Sequence, residues 1–270
     1  MSLKNLFKNG WGLKSAESAS SKPYKDLVVM GSSSTELFDY IFGDNPQYHP
    51  FWASGWNARS ANREPYITYT TEILKDISRD AIIFLNFGNS DIDFILRYKM
   101  NDPNFNNRFD IFVDEIVVGL IYFKELLVSM GFKHDNIYAV FANPPVQLPI
   151  SYWINMDKHK PALIHTRGLM HKLMIDKCKS SMRVIDVTPQ LSNPLVDYPV
   201  LDVKFMRDGV QDHHQDYVKT QQIVWDAIRQ EEIEGLIPPR NTFHKDLYPH
   251  TFAFIGNLME ENKVRQRTCR

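Results

Sequence analysis

Four short, predominantly apolar runs punctuate the chain, at 26–30 (DLVVM), 81–87 (AIIFLNF), 136–142 (NIYAVFA) and 182–187 (MRVIDV). The first ends at Gly31 and a serine cluster, the second at Gly88, the third at Asn143-Pro144-Pro145. Runs of this length closed by turn residues predict strands, and their continuous rather than alternating character predicts burial on both faces. Between them the apolar spacing is near 3.6. It predicts helices within 35–42, 65–79, 109–131 and 161–180, with another over 214–231. Strands alternating with helices imply an α/β fold, a parallel sheet covered on both sides. Residues 101–107 (NDPNFNN) read as a loop. The segment 1–25 reads as a polar lead-in and 26–231 as the α/β domain. The remainder, 232–270, has paired prolines at 238–239 and scattered aromatics, and reads as an extension packed on that core.

The composition fits a folded chain. Of 270 residues, 43% are hydrophobic and 23% charged, which excludes a disordered or collagenous protein. A formal net charge of −1 gives no global field for nucleic acid or an anionic membrane, although a local basic patch stays compatible with it. Cys178 and Cys269 are too few for a disulfide framework, which points to a reducing, cytoplasmic setting. No continuous apolar core of a signal peptide and no run long enough to span a membrane is present, so neither is expected. Aromatic residues in polar segments (Trp52, Trp56, Tyr66, Tyr98) suit either core packing or a sugar-stacking surface.

In an open parallel sheet, sites form beyond the carboxyl ends of the strands. Four clusters fall there or nearby: 31–35 (GSSST), 54–59 (SGWNAR), 88–93 (GNSDID) and 208–214 (DGVQDHH). A serine at a strand-to-helix turn exposes its hydroxyl beside a helix start, where a nucleophile and an oxyanion are both served; it is equally a helix cap. Gly88 and Asn89 offer oxyanion donors or an Asx turn. Asn57 and Arg59 face ligand or solvent. His213 and His214, flanked by Asp208 and Asp212, pair imidazole with carboxylate, as a general base with its orienting acid requires. The same residues fit a metal, but no recognised ligand spacing joins them to His165, His171, His244 or His250, so the base reading leads and no metal or other cofactor is expected. A helix beginning near 212 would set His214 deeper than His213 toward the sheet edge.

Taken in order, the four clusters resemble the blocks of the SGNH hydrolase superfamily, the GDSL-type esterases. Met30-Gly31-Ser32-Ser33 resembles its Gly-Asp-Ser block, with Ser33 at the nucleophile. Ser54-Gly55 stands at its oxyanion glycine, Gly88-Asn89-Ser90-Asp91 at its Gly-x-Asn-Asp block, and Asp208–His214 at its Asp-x-x-His block. Ser32 replaces the usual aspartate, Ser90 the usual asparagine, and Gln211 falls where the block has histidine, leaving the base to His213 or His214 and its orienter to Asp208 or Asp212. The segments Gly55-Trp56-Asn57-Ala58-Arg59 and Phe87–Asp91, followed by Arg97, are similar to a subgroup associated with polysaccharide biosynthesis. The resemblance implies a three-layer α/β/α sandwich of flavodoxin-like type. It also implies a serine esterase or acyltransferase acting on an O-acylated carbohydrate, with Gly55 and Asn89 at the oxyanion and Trp56, Asn57, Arg59, Asp91 and Arg97 at the substrate. Arg59, Arg97 and Lys99 would then favour an anionic substrate. A small-molecule or glycan substrate is the partner this implies. The other readings are an inactive domain of this type that binds a glycan or an assembly partner, favoured by Gln211 and Ser90, and a metal-dependent hydrolase.

Overall fold

A computed structural model describes residues 24–157 and 159–240. Five strands form one parallel sheet: β1 (Leu27–Gly31), β2 (Tyr48–Trp52), β3 (Ile82–Asn86), β4 (Ile137–Phe141) and β5 (Arg183–Asp186), in the order β2-β1-β3-β4-β5. That order is the flavodoxin-like one. The helices are α1 (Leu37–Phe42), α2 (Glu64–Leu74), α3 (Leu96–Met100), α4 (Phe109–Ser129), α5 (Ile150–Asp157), α6 (Ile164–Lys179), α7 (Thr188–Leu191) and α8 (Tyr217–Gln230).

Strand residues alternate between two cores. Val28, Met30, Ile83, Leu85, Ile137, Ala139 and Phe141 point to one face, where α2, α4 and α6 cover them. Leu27, Val29, Ile82, Phe84, Tyr138 and Val140 point to the other, beneath α1, α7 and α8. Because both faces are covered, the inner strands need apolar residues at every position, and β1 and β4 are buried throughout. The three-layer α/β/α architecture follows, and the four apolar runs are four of its five strands.

The fifth strand, β2, carries His49 and Pro50 at the sheet edge, so it lacks the apolar run that marks the inner strands. Asp39 of α1 fixes its other side chains, accepting from the Tyr48 hydroxyl at 2.6 Å and the Trp52 indole at 3.1 Å. Residues 232–240 return to the domain. Leu236 and Ile237 join the core beneath α8, the Lys25 amide donates to the Gly235 carbonyl, and the Arg240 amide donates to Ile41. His244, His250 and Cys269 lie outside the described residues, as does most of the lead-in. Cys178 of α6 is a buried free thiol that burial pushes up to about 12. Among the described residues no helix is long and apolar enough to cross a membrane.

Candidate active site

β1 ends at Gly31, where an added Cβ would fall 2.2 Å from both the Asn86 carbonyl oxygen and Thr35 Oγ1. Only glycine allows the chain to turn this tightly against β3. A 3-10 turn, Ser33–Glu36, follows directly and leads into α1. Ser32 stands at its N-cap position without a side-chain cap bond, so the serine cluster is not spent on capping. The turn is held from the neighbouring strand ends instead. Asn86 Nδ2 donates to Thr35 Oγ1 at 3.2 Å and to Asn143 Oδ1 at 3.0 Å, and Asn143 Nδ2 reaches the Ser34 carbonyl at 3.5 Å.

Across the site, the segment before α8 bends back over this turn. Asp216 caps α8, accepting from the Val218 and Lys219 amides, and its own amide donates to the Phe205 carbonyl. The helix therefore begins at Tyr217 rather than near 212, and His214 owes its depth to the preceding turn. Ser33 Oγ lies 2.9 Å from His214 Nε2, and His214 Nδ1 lies 2.8 Å from Asp212 Oδ1, which also accepts the His214 amide at 3.0 Å. With the Nδ1 proton donated to Asp212, Nε2 is free to accept the serine proton. The other carboxylate oxygen, Oδ2, accepts from Arg207 Nη1 at 2.6 Å. Tyr217 meets the His214 ring edge-on, with centroids 6.2 Å apart, and donates its hydroxyl to the Ser33 carbonyl at 3.5 Å. Burial, reinforced by Glu36 and Asp212, pushes the Tyr217 phenol well above its ordinary value and keeps it a donor.

His213 turns the other way. Its ring lies 3.9 Å from that of His214, and Nδ1 pairs with the Tyr152 hydroxyl of α5 at 2.8 Å. Burial foremost pushes that phenol up to about 12. Asp208 is not the orienter: its side chain is 91% exposed and pairs with Lys219 at 2.9 Å. The relay thus closes on an Asp-x-His spacing in place of Asp-x-x-His, which explains why Gln211 leaves it intact.

Asp212, His213 and His214 bring one donor atom each within 4.8 Å, close enough for a metal. These donors are already committed to one another, to Tyr152 and to Arg207. A guanidinium on the carboxylate also opposes a second cation there.

The remaining residues singled out in the sequence separate into backbone and core. The Gly55 turn follows β2, and the Ala53 amide donates to the Gly31 carbonyl. Gly55 is exposed at φ +72° with nothing within 4 Å of its Cβ position, so a ligand can approach its main chain. Asn89 is tied to the Ser33 turn indirectly, donating its amide to the Asn143 carbonyl rather than closing an Asx turn. Trp56 is not a stacking platform: it is 1% exposed, packed edge-on among Tyr69, Phe87 and Phe123. Asn57 is buried and donates to the Gly55 carbonyl. Asp91 does not face substrate either. It is fully buried and accepts the Ala58 and Arg59 amides at 2.9 and 3.3 Å; burial pushes its carboxyl up to about 6 against the pull of those bonds.

Arg59 and Arg97 are likewise engaged by other side chains. Arg59 is paired with Glu115 of α4 and stacked on Phe112. Arg97 is wholly buried, stacked over Phe94 and Trp153. Lys99 lines a cavity with Arg59 and Arg108. Tyr98, half exposed, pairs with the His159 ring, and His165 packs on Tyr198. His171 of α6 is fully buried, neither ring nitrogen has a hydrogen-bond partner among the described residues, and burial pushes it down to about 4.

Sequence reasoning did not single out Arg207, Tyr217, Tyr152 or Asn143. Asn143 had a usable signal, since it follows directly on the apolar run of β4.

No protein-family model matches the chain, and no curated protein matches it. Two solved structures overlay on it. One is a Streptococcus pneumonia protein assigned provisionally as a platelet activating factor, at 13% identity and TM-score 0.49, covering 80% of this chain and 87% of that one. The other is Est24, a carbohydrate acetylesterase from Sinorhizobium meliloti, at 12% identity and TM-score 0.44, covering 77% of this chain and 99% of that one.

Proposed function

We propose that this protein is a serine esterase or acyltransferase that works through Ser33, His214 and Asp212 on an O-acylated, carbohydrate-like substrate. One observation carries the reading: the unbroken contact from Ser33 Oγ through the His214 ring to Asp212, built on two segments far apart in the sequence, the turn after β1 and the loop before α8. A serine hydroxyl is a weak nucleophile near neutral pH, and a neutral imidazole accepting from it is the standard remedy. Ser33 attacks the ester carbonyl carbon while His214 Nε2 takes its proton. Asp212 holds the Nδ1 tautomer and stabilises the imidazolium. The backbone amides of Ser33 and Gly55, with the Asn89 side chain, serve the oxyanion. The C–O bond to the alcohol then breaks as His214 returns its proton to the leaving oxygen, and water or a second hydroxyl releases the acyl group by the same steps.

The carbohydrate part of the reading rests on the sequence blocks Gly55–Arg59 and Phe87–Asp91, and the ester chemistry on the relay. The test is reaction with a fluorophosphonate probe alongside hydrolysis of p-nitrophenyl acetate. The wild type is expected to label and turn over, and Ser33→Ala to do neither. A wild type that neither labels nor hydrolyses the ester, while binding a glycan, would instead make the chain an inactive binding domain.

A further inference from the structure

The relay does not stop at Asp212. Arg207 is nearly buried, its side chain 9% exposed, and its Nη1 sits 2.6 Å from the carboxylate oxygen that His214 does not use. Its remaining donors, Nε and Nη2, are buried without hydrogen-bond partners among the described residues. A guanidinium with few partners at a nearly buried position is costly, and an apolar side chain would fill the space at less cost. The residue is nevertheless held there from both sides. Lys219 of α8 donates to the Met206 carbonyl at 2.8 Å and to Asp208 Oδ1 at 2.9 Å, gripping the positions just before and just after Arg207. The guanidinium carbon itself lies 5.8 Å from the Tyr217 ring centroid, on the same ring that supports His214.

We propose that Arg207 is a positioning residue of this site, fixing the Asp212 carboxylate from its far oxygen and keeping His214 unprotonated to lower pH than an Asp–His pair alone would. Two effects follow from the geometry. Asp212 Oδ1 is presented to Nδ1 with its rotation blocked, because Oδ2 is engaged on the other side. The cation also offsets part of the negative charge that would otherwise favour the imidazolium. A base that loses its proton at lower pH is available for Ser33 over a wider range.

Other groups also face His214. They are Asp212 and His213 on its own segment, Tyr217 from α8, itself influenced by Glu36, and Ser33 from the turn after β1. Tyr152 of α5 acts through His213, with Arg97 and Asp93 beyond it. Within this set Arg207 is the cation bonded directly to the orienting carboxylate. In this account Asp208 serves the site at one remove, through Lys219.

The kinetic part of this inference rests on the serine-esterase reading, whereas the titration part does not. The experiment is therefore an NMR titration of the His214 ring in the full chain, run beside a pH profile of kcat/KM. In Arg207→Gln the midpoint of His214 is expected to rise by about one pH unit. The acidic limb of kcat/KM should move with it, kcat should fall, and KM should change little. Arg207→Lys retains the charge and should hold the midpoint near the wild-type value, with a reduced kcat because the planar fork is gone. If Arg207→Gln does not fold, Arg207→Met supplies the uncharged variant. A midpoint that stays put or falls in the uncharged variant overturns the proposal, as does a lysine variant that titrates like the glutamine one. If Ser33→Ala keeps its esterase activity, the esterase reading fails, while the His214 midpoint still decides the role of Arg207.

Discussion

The loops that leave β1 and β2 start side by side at the carboxyl edge of the sheet, and they put their residues to opposite uses. The Ser33 turn brings a hydroxyl to His214 and is held in place by side chains from β3 and β4 ends. The 53–60 segment turns its side chains inward. Trp56 enters the aromatic core, Asn57 folds back on Gly55, and Asp91 clamps the Ala58 and Arg59 amides from below. What that loop leaves accessible is backbone at Gly55. Position at the active edge of a sheet does not make a side chain functional; the packing beneath the loop decides whether it offers side chains or main chain.

Substitutions can break this contrast. The largest effect is expected from the first loop and its partners: Ser33→Ala and His214→Ala should each lose on the order of a thousandfold or more in kcat/KM, and the double variant little beyond that. His213→Ala should stay within about tenfold of wild type, because its ring answers to Tyr152 rather than to Ser33. Trp56→Ala should do the reverse, costing about 3–5 kcal/mol of stability by denaturant unfolding while the folded fraction keeps its kcat. A Trp56 variant of unchanged stability and impaired substrate binding would sink the distinction between the two loops.

The clamp beneath the second loop predicts an unusual pH response. Asp91 is held above its ordinary value, at about 6, so its contribution to stability is present below about pH 4 and is lost as pH rises through 6. His171, held down at about 4, contributes stability above about 6.5 that is lost as pH falls through 4. Over roughly pH 4–6 the two slopes oppose each other. Asp91→Asn should therefore unmask a loss of stability on acidification, and His171→Leu a loss as pH rises, both read by urea unfolding at pH 4.5 and 6.5. Parallel behaviour of the two variants would show that neither group controls the profile. The smallest effect belongs to Arg59→Ala. Its partner Glu115 is half exposed, so the change should cost under about 1 kcal/mol and leave KM and its salt dependence unmoved.

Much of the fold could be read from the chain because an internal parallel strand must be apolar at every position, a signal that survives without any knowledge of tertiary contacts. β2 escaped because its Tyr-His-Pro-Phe-Trp stretch lies at the edge, where polar residues are tolerated. The site was legible where chemistry and turn coincide: Ser33 follows a strand end, and Asp212 and His214 sit in one short polar segment. It was illegible where a long-range contact assigns the role. Asp208 stands where the resemblance read from the sequence puts the orienter, yet the chain path before α8 delivers Asp212 to the imidazole and leaves Asp208 to Lys219. Trp56 has polar sequence neighbours and Arg97 carries a charge, and only the packing around them shows that they are interior. Arg207 gave no signal, since its partner is set by the fold of a loop and not by any periodicity.

Pro50 in β2 has a consequence for how these molecules meet one another. The Leu27 amide donates to Gln47 and the Ala53 amide to Gly31, so with the register of the pair the odd-numbered residues of β2 bond inward to β1. Tyr48, Pro50 and Trp52 therefore direct their main chain outward, and the central one has no N–H to give. A foreign strand approaching this border finds the Tyr48 amide already given to the Asn45 carbonyl and no N–H at Pro50, so it cannot build a continuous ladder. The break disfavours edge-to-edge pairing at this border of the sheet, next to the Ser33 turn.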